Sequence, residues 1–284
     1  MEKYRSHLII AKIHTSGFPK KDLFDSVKEF LSKCEPYEEV RKGEHENYFW
    51  LFGDLDFLYE SKDKIIYGKL GKRKESEQRT KYLEEPRKFV KEKTIEPKVD
   101  SVSRFIISSA SNILIYEEKP SKISRNQFEE VFTRMYRDYF NDFSTVRIDP
   151  TLRTEEVFHW IREQEKILSI NFTLSPSNPS DRAEFKVIDK LLQEAKTEEA
   201  NLALRNLREG LNTKSILFEQ GVHLSGAGYG SYSITAENHG ETSVLVSKDN
   251  INREVIETET DEEDTIKKTI LNKLRSLKGR KRQQ

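Results

Sequence analysis

The chain has 284 residues, with 49 Lys or Arg, 49 Asp or Glu and a formal charge of zero, so no overall field of one sign commits it to a polyanion or a polycation. Its length admits one large domain or two of roughly 100 to 150 residues, and 16 Phe and 11 Tyr supply material for cores although only 35% of the chain is apolar. There is no run of about 18 apolar residues and no cleavage-site pattern at the start, which predicts a soluble, unsecreted, cytoplasmic protein; the single cysteine, Cys34, excludes an intrachain disulfide and reads as a buried thiol.

In chain order, the alternating run His7 to His14 predicts a strand closed by Gly17 and Pro19. Leu23, Val27, Phe30 and Cys34 then recur at helical spacing until Pro36. Tyr48 to Phe52, Phe57 to Tyr59 and Ile65 to Leu70 predict adjacent antiparallel strands. From Gly71 to Lys98 no period is sustained, which predicts an exposed loop or extended arm. Val102 to Ser108 and Ile113 to Glu117 predict a hairpin turning at Ala110-Ser111-Asn112. Ser124 and Gln127 form a capping box for a helix carrying Phe128, Val131, Phe132, Met135, Tyr136, Tyr139 and Phe140.

Asp149-Pro150 marks a turn, and a second lobe is expected from Val146. Thr154 to Gln164 predicts a short helix, Ile167 to Leu174 a strand, and Ser180 the cap of a helix through Phe185, Ile188, Leu191 and Leu192. Ala200 to Leu211, with Leu204, Leu207 and Leu211 in register, predicts its helical partner. Ser231 to Ala236 and Thr242 to Ser247 form a hairpin through Asn238-His239-Gly240. Thr260 and Glu263 read as the capping box of a last helix burying Ile266, Ile270, Leu274 and Leu277. The expectation is an α+β protein of two lobes, each an antiparallel sheet packed with helices: residues 1–145 with a charged arm at 71–98, residues 146–250, and a charged helix with a basic tail at 251–284.

Although the net charge is zero, the charges are sorted. Ser61 to Val99 holds thirteen bases and seven acids, with Lys72, Arg73, Lys74, Arg79, Lys81, Arg87 and Lys88 at its centre. Glu254 to Asp264 holds seven carboxylates and no base, whereas Ile266 to Gln284 holds eight bases and no acid and ends with Lys278, Arg280, Lys281 and Arg282. Bases interleaved with Tyr82 and Phe89 suit phosphate contact with stacking, which makes the arm the first candidate for nucleic-acid binding. The tail has three readings: a solubilising end, an intramolecular partner of the acidic block, or a second nucleic-acid contact.

Other patterns are weaker. Gly226-Ala227-Gly228-Tyr229-Gly230 has no following Gly-Lys-Ser/Thr and leads into β-prone sequence, so it matches neither a Walker loop nor a dinucleotide fingerprint. It reads as a turn or bulge, with a candidate ligand loop at Gly228, Tyr229 and Gly230 in which Tyr229 is available to stack. The six histidines have no metal-binding spacing. Acidic pairs such as Asp54 and Asp56 have no specificity, and neither a cofactor nor a catalytic residue is expected.

The order of elements, with Ser103-Arg104-Phe105-Ile106-Ile107, Asn112-Ile113-Leu114-Ile115-Tyr116 and Val146-Arg147-Ile148-Asp149-Pro150 at corresponding places, resembles the RexA family of phage-exclusion proteins and, more loosely, the KwaB component of the Kiwa antiphage system. The resemblance implies a DNA-binding defence protein working with a membrane-protein partner, and it assigns no site residue. The resulting expectation is a non-enzymatic nucleic-acid-binding component of a phage-exclusion system, with DNA, a membrane-protein or nuclease partner, and a second copy of the chain as partners. The alternatives are a metal-dependent nuclease and a protein-binding adaptor.

Overall fold

The computed structural model describes residues 4–17, 22–39, 48–60, 63–74, 78–83, 88–93, 99–177 and 185–280. In chain order the elements of the first half are β1 (Tyr4–Gly17), α1 (Leu23–Lys33), β2 (Tyr37–Glu39), β3 (Tyr48–Glu60), β4 (Asp63–Lys74), β5 (Gln78–Leu83), β6 (Lys88–Lys93), β7 (Ser101–Ser108), β8 (Ile113–Glu118) and α2 (Arg125–Tyr139). There follow β9 (Ser144–Pro150), α3 (Thr154–Glu163), β10 (Lys166–Leu174), α4 (Lys186–Glu194), β11 (Ala200–Arg205), α5 (Ile216–Leu224), β12 (Gly230–Asn238), β13 (Glu241–Val246), β14 (Arg253–Thr258) and α6 (Glu263–Arg280). The chain is an α+β protein with antiparallel sheets.

β1 organises the larger sheet. Every residue from Leu8 to Ile13 is buried, as expected of a strand covered on both faces. Because side chains alternate along a strand, Ile9, Ala11 and Ile13 enter one core while Leu8 and Ile10 enter another. The sheet runs β14-β1-β8-β7-β4-β3-β2. β14 pairs with Tyr4 to Ile9 and β9 with Ala11 to Gly17, so these two strands share one edge of β1 end to end. β3 and β4 form one long hairpin whose register shifts between Gly53 and Asp56, where Asp54 takes a φ of 49°.

The sheet's two faces are closed differently. α1 and α2 cover one with interlocked rings: Phe30 lies 5.4 Å from Phe52 and 5.6 Å from Phe132, and Phe105 lies 6.0 Å from Phe132, all edge to face. The Ser124–Gln127 capping box is formed, as the sequence predicts. α6 closes the other face, burying Ile266, Ile270 and Leu274 against Leu8, Ile10, Ile65, Ile106 and Ile115. Burial of side chains of this size contributes about 1.5–3 kcal/mol each.

The smaller sheet runs β11-β10-β12-β13, with α4 and α5 packed on it through Ile188, Leu192, Phe218 and Val222. Its core is continuous with the aromatic face of the larger sheet. The β12–β13 hairpin turns at His239 and Gly240, both at positive φ, as two-residue hairpin turns prefer.

Several sequence expectations need correction. Ala200 to Leu211 is not a helix: Ala200–Arg205 is β11, paired with β10. Asn201, Ala203 and Arg205 are exposed between half-buried Ala200, Leu202 and Leu204, a period of two that the leucine spacing disguised, and Leu207 is an exposed residue of the following turn. α6 begins at Glu263, two residues later than a Thr260 cap would start it, because the Glu263 side chain is held by Tyr67 and Arg104. The lobe boundary expected at Val146 falls inside β9, a strand of the larger sheet, and β14 and α6 return the chain to that sheet. Ser180 lies outside the described residues.

Candidate functional site

The segment expected to be an exposed loop or extended arm has two parts among its described residues. Gly71 to Lys74 complete β4, and beyond them β5 and β6 form a separate two-stranded ribbon of six register pairs. Tyr82 stands opposite Phe89, Arg79 opposite Glu92, Lys81 opposite Val90 and Leu83 opposite Lys88. The ladder supplies the regularity that the sequence pattern hides, since only four of the twelve paired residues are apolar. The backbone places Lys74 in β4, and Lys278 and Arg280 at the end of α6. Arg87, Lys281 and Arg282 lie outside the described residues.

Two of the seven central bases are occupied inside the fold. Lys72 is 8% exposed, with Nζ 4.3 Å from the ring centre of Tyr48 and 5.2 Å from that of Trp50. The Trp50 indole donates to Glu39 at 2.7 Å. Lys72 is therefore a buried cation–π residue of the sheet and not a phosphate contact. Arg73, 5.2 Å from the Phe49 ring centre, is half-buried.

The candidate ligand loop is also corrected. Ser225 to Tyr229 is a π-helical turn continuing α5 into β12, and Tyr229 is fully buried, so it is not available to stack on a ligand. Its ring sits 5.3 Å from that of His14 and beneath Lys12, whose ammonium donates to the Ser111 carbonyl at 2.7 Å. Glycine is needed here for the protein's own packing. Gly228 has a φ of 85°, and a Cβ on Gly230 would stand 2.2 Å from the Thr173 carbonyl.

This turn lies beside a groove of about 200 Å³ that sequence reading missed. The groove forms where the end of β9 meets the end of β10 and the start of β12, with the first residue of α2 and the short helical turn Ser247–Asp249 along its sides. Arg125, Arg147 and Lys248 bring positive charge, Ser175, Ser231 and Ser247 bring hydroxyls, and Pro150, Leu152 and Ile251 form an apolar wall. Arg147 donates through Nε to Asp149 at 2.6 Å and through Nη1 to Ser175 Oγ at 2.7 Å; among the described residues its Nη2 has no hydrogen-bond partner. Burial raises the pKa of Asp149, and Arg147 offsets only part of the effect. Burial likewise raises Glu129, which accepts from Tyr116 Oη at 2.5 Å. Arg147 and Asp149 stand two apart on one strand, and that alternation is the only local signal pointing here.

A second charged cluster is closed. Glu117, fully buried, receives Arg104 Nη1 at 3.1 Å and Tyr4 Oη at 2.5 Å, while Glu263 receives Arg104 Nη2 at 2.8 Å, Tyr67 Oη at 2.5 Å and Lys69 Nζ at 3.0 Å. Burial alone would raise Glu263, but these donors overcome it and hold the carboxyl at about 2. Burial and Glu117 push Tyr4 up to about 12. Part of the acidic block is also engaged within the fold: Glu254 pairs with Lys273 and, on the surface, Glu257 with Arg5. Among the described residues no group of three or more His, Cys, Asp or Glu is arranged to hold a metal ion, and no helix is long and apolar enough to cross a membrane.

The molecule thus belongs to the antiparallel α+β class, with an eight-stranded sheet, a four-stranded sheet and a separate two-stranded ribbon of basic composition among the described residues. The chain is a member of the DUF4747 family, a domain of unknown function whose family model matches residues 18–276. No curated protein matches it in sequence.

Proposed function

We propose that this chain is a nucleic-acid-binding protein whose contact is the β5–β6 ribbon, with DNA the favoured ligand. The observation that carries this reading is the ribbon itself: five bases, Arg79, Lys81, Lys88, Lys91 and Lys93, against one acid, Glu92, on a two-stranded element outside both larger sheets. A two-stranded β-ribbon fits the DNA major groove, about 12 Å wide, and Tyr82 opposite Phe89 adds aromatic surface for an unpaired base. Lys74 at the end of β4 and the bases at the end of α6 extend the same reading. The phage-exclusion setting, the cytoplasmic location, the absence of catalysis and a membrane-protein, nuclease or second-copy partner belong to this proposal and rest on the resemblance to RexA and KwaB.

The test is a salt titration of DNA affinity. Each phosphate contact contributes about −0.9 to the slope of log affinity against log salt, so Arg79→Glu with Lys81→Glu flattens the slope by about 2. Absence of binding to DNA and RNA at low salt, or a slope unchanged by the double variant, overturns the proposal.

A further inference from the structure

We infer that the groove between the two sheets is a binding site for a terminal phosphate monoester, carried by a free nucleotide or by the 5′ end of a nucleic acid. The inference is independent of the ribbon. Three cations from distant parts of the chain converge on the groove: Arg125 opening α2, Arg147 on β9 and Lys248 on the turn after β13. Lys248 is exposed and has no ion pair among the described residues. Arg147 is aimed by two bonds, to Asp149 and Ser175, which fix its guanidinium plane and leave Nη2 for an acceptor. A guanidinium oriented in this way suits a phosphate, whose oxygens accept from its planar donors, and hydroxyls at Ser175, Ser231 and Ser247 supply further donors.

The opposing charges define the ligand further. Asp149 and Glu199 also border the groove, so a ligand that is only anionic meets repulsion there. A nucleotide places its phosphate against the cations and its sugar hydroxyls against a carboxylate, with the wall of Pro150, Leu152 and Ile251 beside its ring. A bare inorganic anion satisfies only the first of these three groups.

The site therefore distinguishes AMP from adenosine and from inorganic phosphate. Calorimetric titration of the full chain is expected to show AMP binding at least about tenfold tighter than either, since a charged hydrogen-bonded pair is lost in adenosine and the wall contact in phosphate. Lys248→Glu weakens AMP about tenfold, and Arg147→Gln removes most of the discrimination against adenosine. Lys248 lies on the surface, so Lys248→Glu keeps the test decisive should Arg147→Gln fail to fold. Displacement of AMP by a 5′-phosphorylated oligonucleotide, but not by its 5′-hydroxyl counterpart, assigns the site to nucleic-acid ends; displacement by neither assigns it to free nucleotides. No AMP binding, equal affinity for AMP and adenosine, or AMP binding untouched by both variants overturns the inference. Arg79→Glu with Lys81→Glu leaves AMP binding unchanged, which separates this result from failure of the ribbon proposal.

Discussion

The Arg104 cluster and the Arg147 groove use the same pair of groups, an arginine and a carboxylate, to opposite ends. At Arg104 every partner is supplied: Glu263 takes bonds from three donors and its carboxyl drops to about 2. At Arg147 the carboxylate has one arginine at 2.6 Å and the His14 ring at 3.8 Å, burial dominates, and the pKa of Asp149 rises. A cluster whose donors and acceptors are matched holds the fold together. One left with spare donors beside a cavity has capacity for something else.

Three measurements break or sharpen this contrast. The largest effect is expected from Arg104→Ala, which strips the fully buried Glu117 of its hydrogen-bonded charge partner, leaves it only the longer 3.9 Å ion pair with Lys119, and should cost about 3–5 kcal/mol in denaturant unfolding. A loss under about 1 kcal/mol would mean that the cluster does not secure the sheet. Arg147→Ala should cost only about 1 kcal/mol at neutral pH, because Arg147 is 41% exposed, so solvent screens the pair, and Asp149 keeps His14 at 3.8 Å. The smallest effect is the pH dependence, where the two regions have opposite signs. The Glu263 contribution is complete above its unfolded value near 4.5 and is lost as pH falls towards about 2. Asp149 and Glu129, raised by burial, bind protons more readily folded than unfolded, so their contribution weakens as pH rises through their folded values. Urea midpoints against pH for the wild type, Glu263→Gln and Asp149→Asn separate the two: Glu263→Gln should flatten the acid limb, and Asp149→Asn the opposing one.

Much of the fold was legible because its signals are local. The Ser124–Gln127 box, the ring spacing of α2, the periodicity of α1 and the Asn-His-Gly turn each specify an element within a dozen residues. What was missed depends on distance. Leu202 and Leu204 gain meaning as strand residues only beside β10, and the β5–β6 ladder carries too few apolar residues to show a period. The Arg104 cluster joins residues 4, 67, 69, 104, 117 and 263, and the groove gathers side chains from 125 to 251. No spacing rule spans such separations. Lys72 misled for a related reason: its charge reads as surface until Trp50 and Tyr48 are seen beside it.

The edge of β1 shared by β9 and β14 bears on how the protein is made. Residues 4–6 find their strand partner only at 256–258, and the apolar row Leu8, Ile10, Ile65, Ile106 and Ile115 is covered by residues 266 to 274. A nascent chain must therefore carry a half-clad sheet until those later residues have been made, an interval in which bare strand edges and apolar surface favour aggregation and recruit chaperones. Completion of the last helix is the event that ends this exposure.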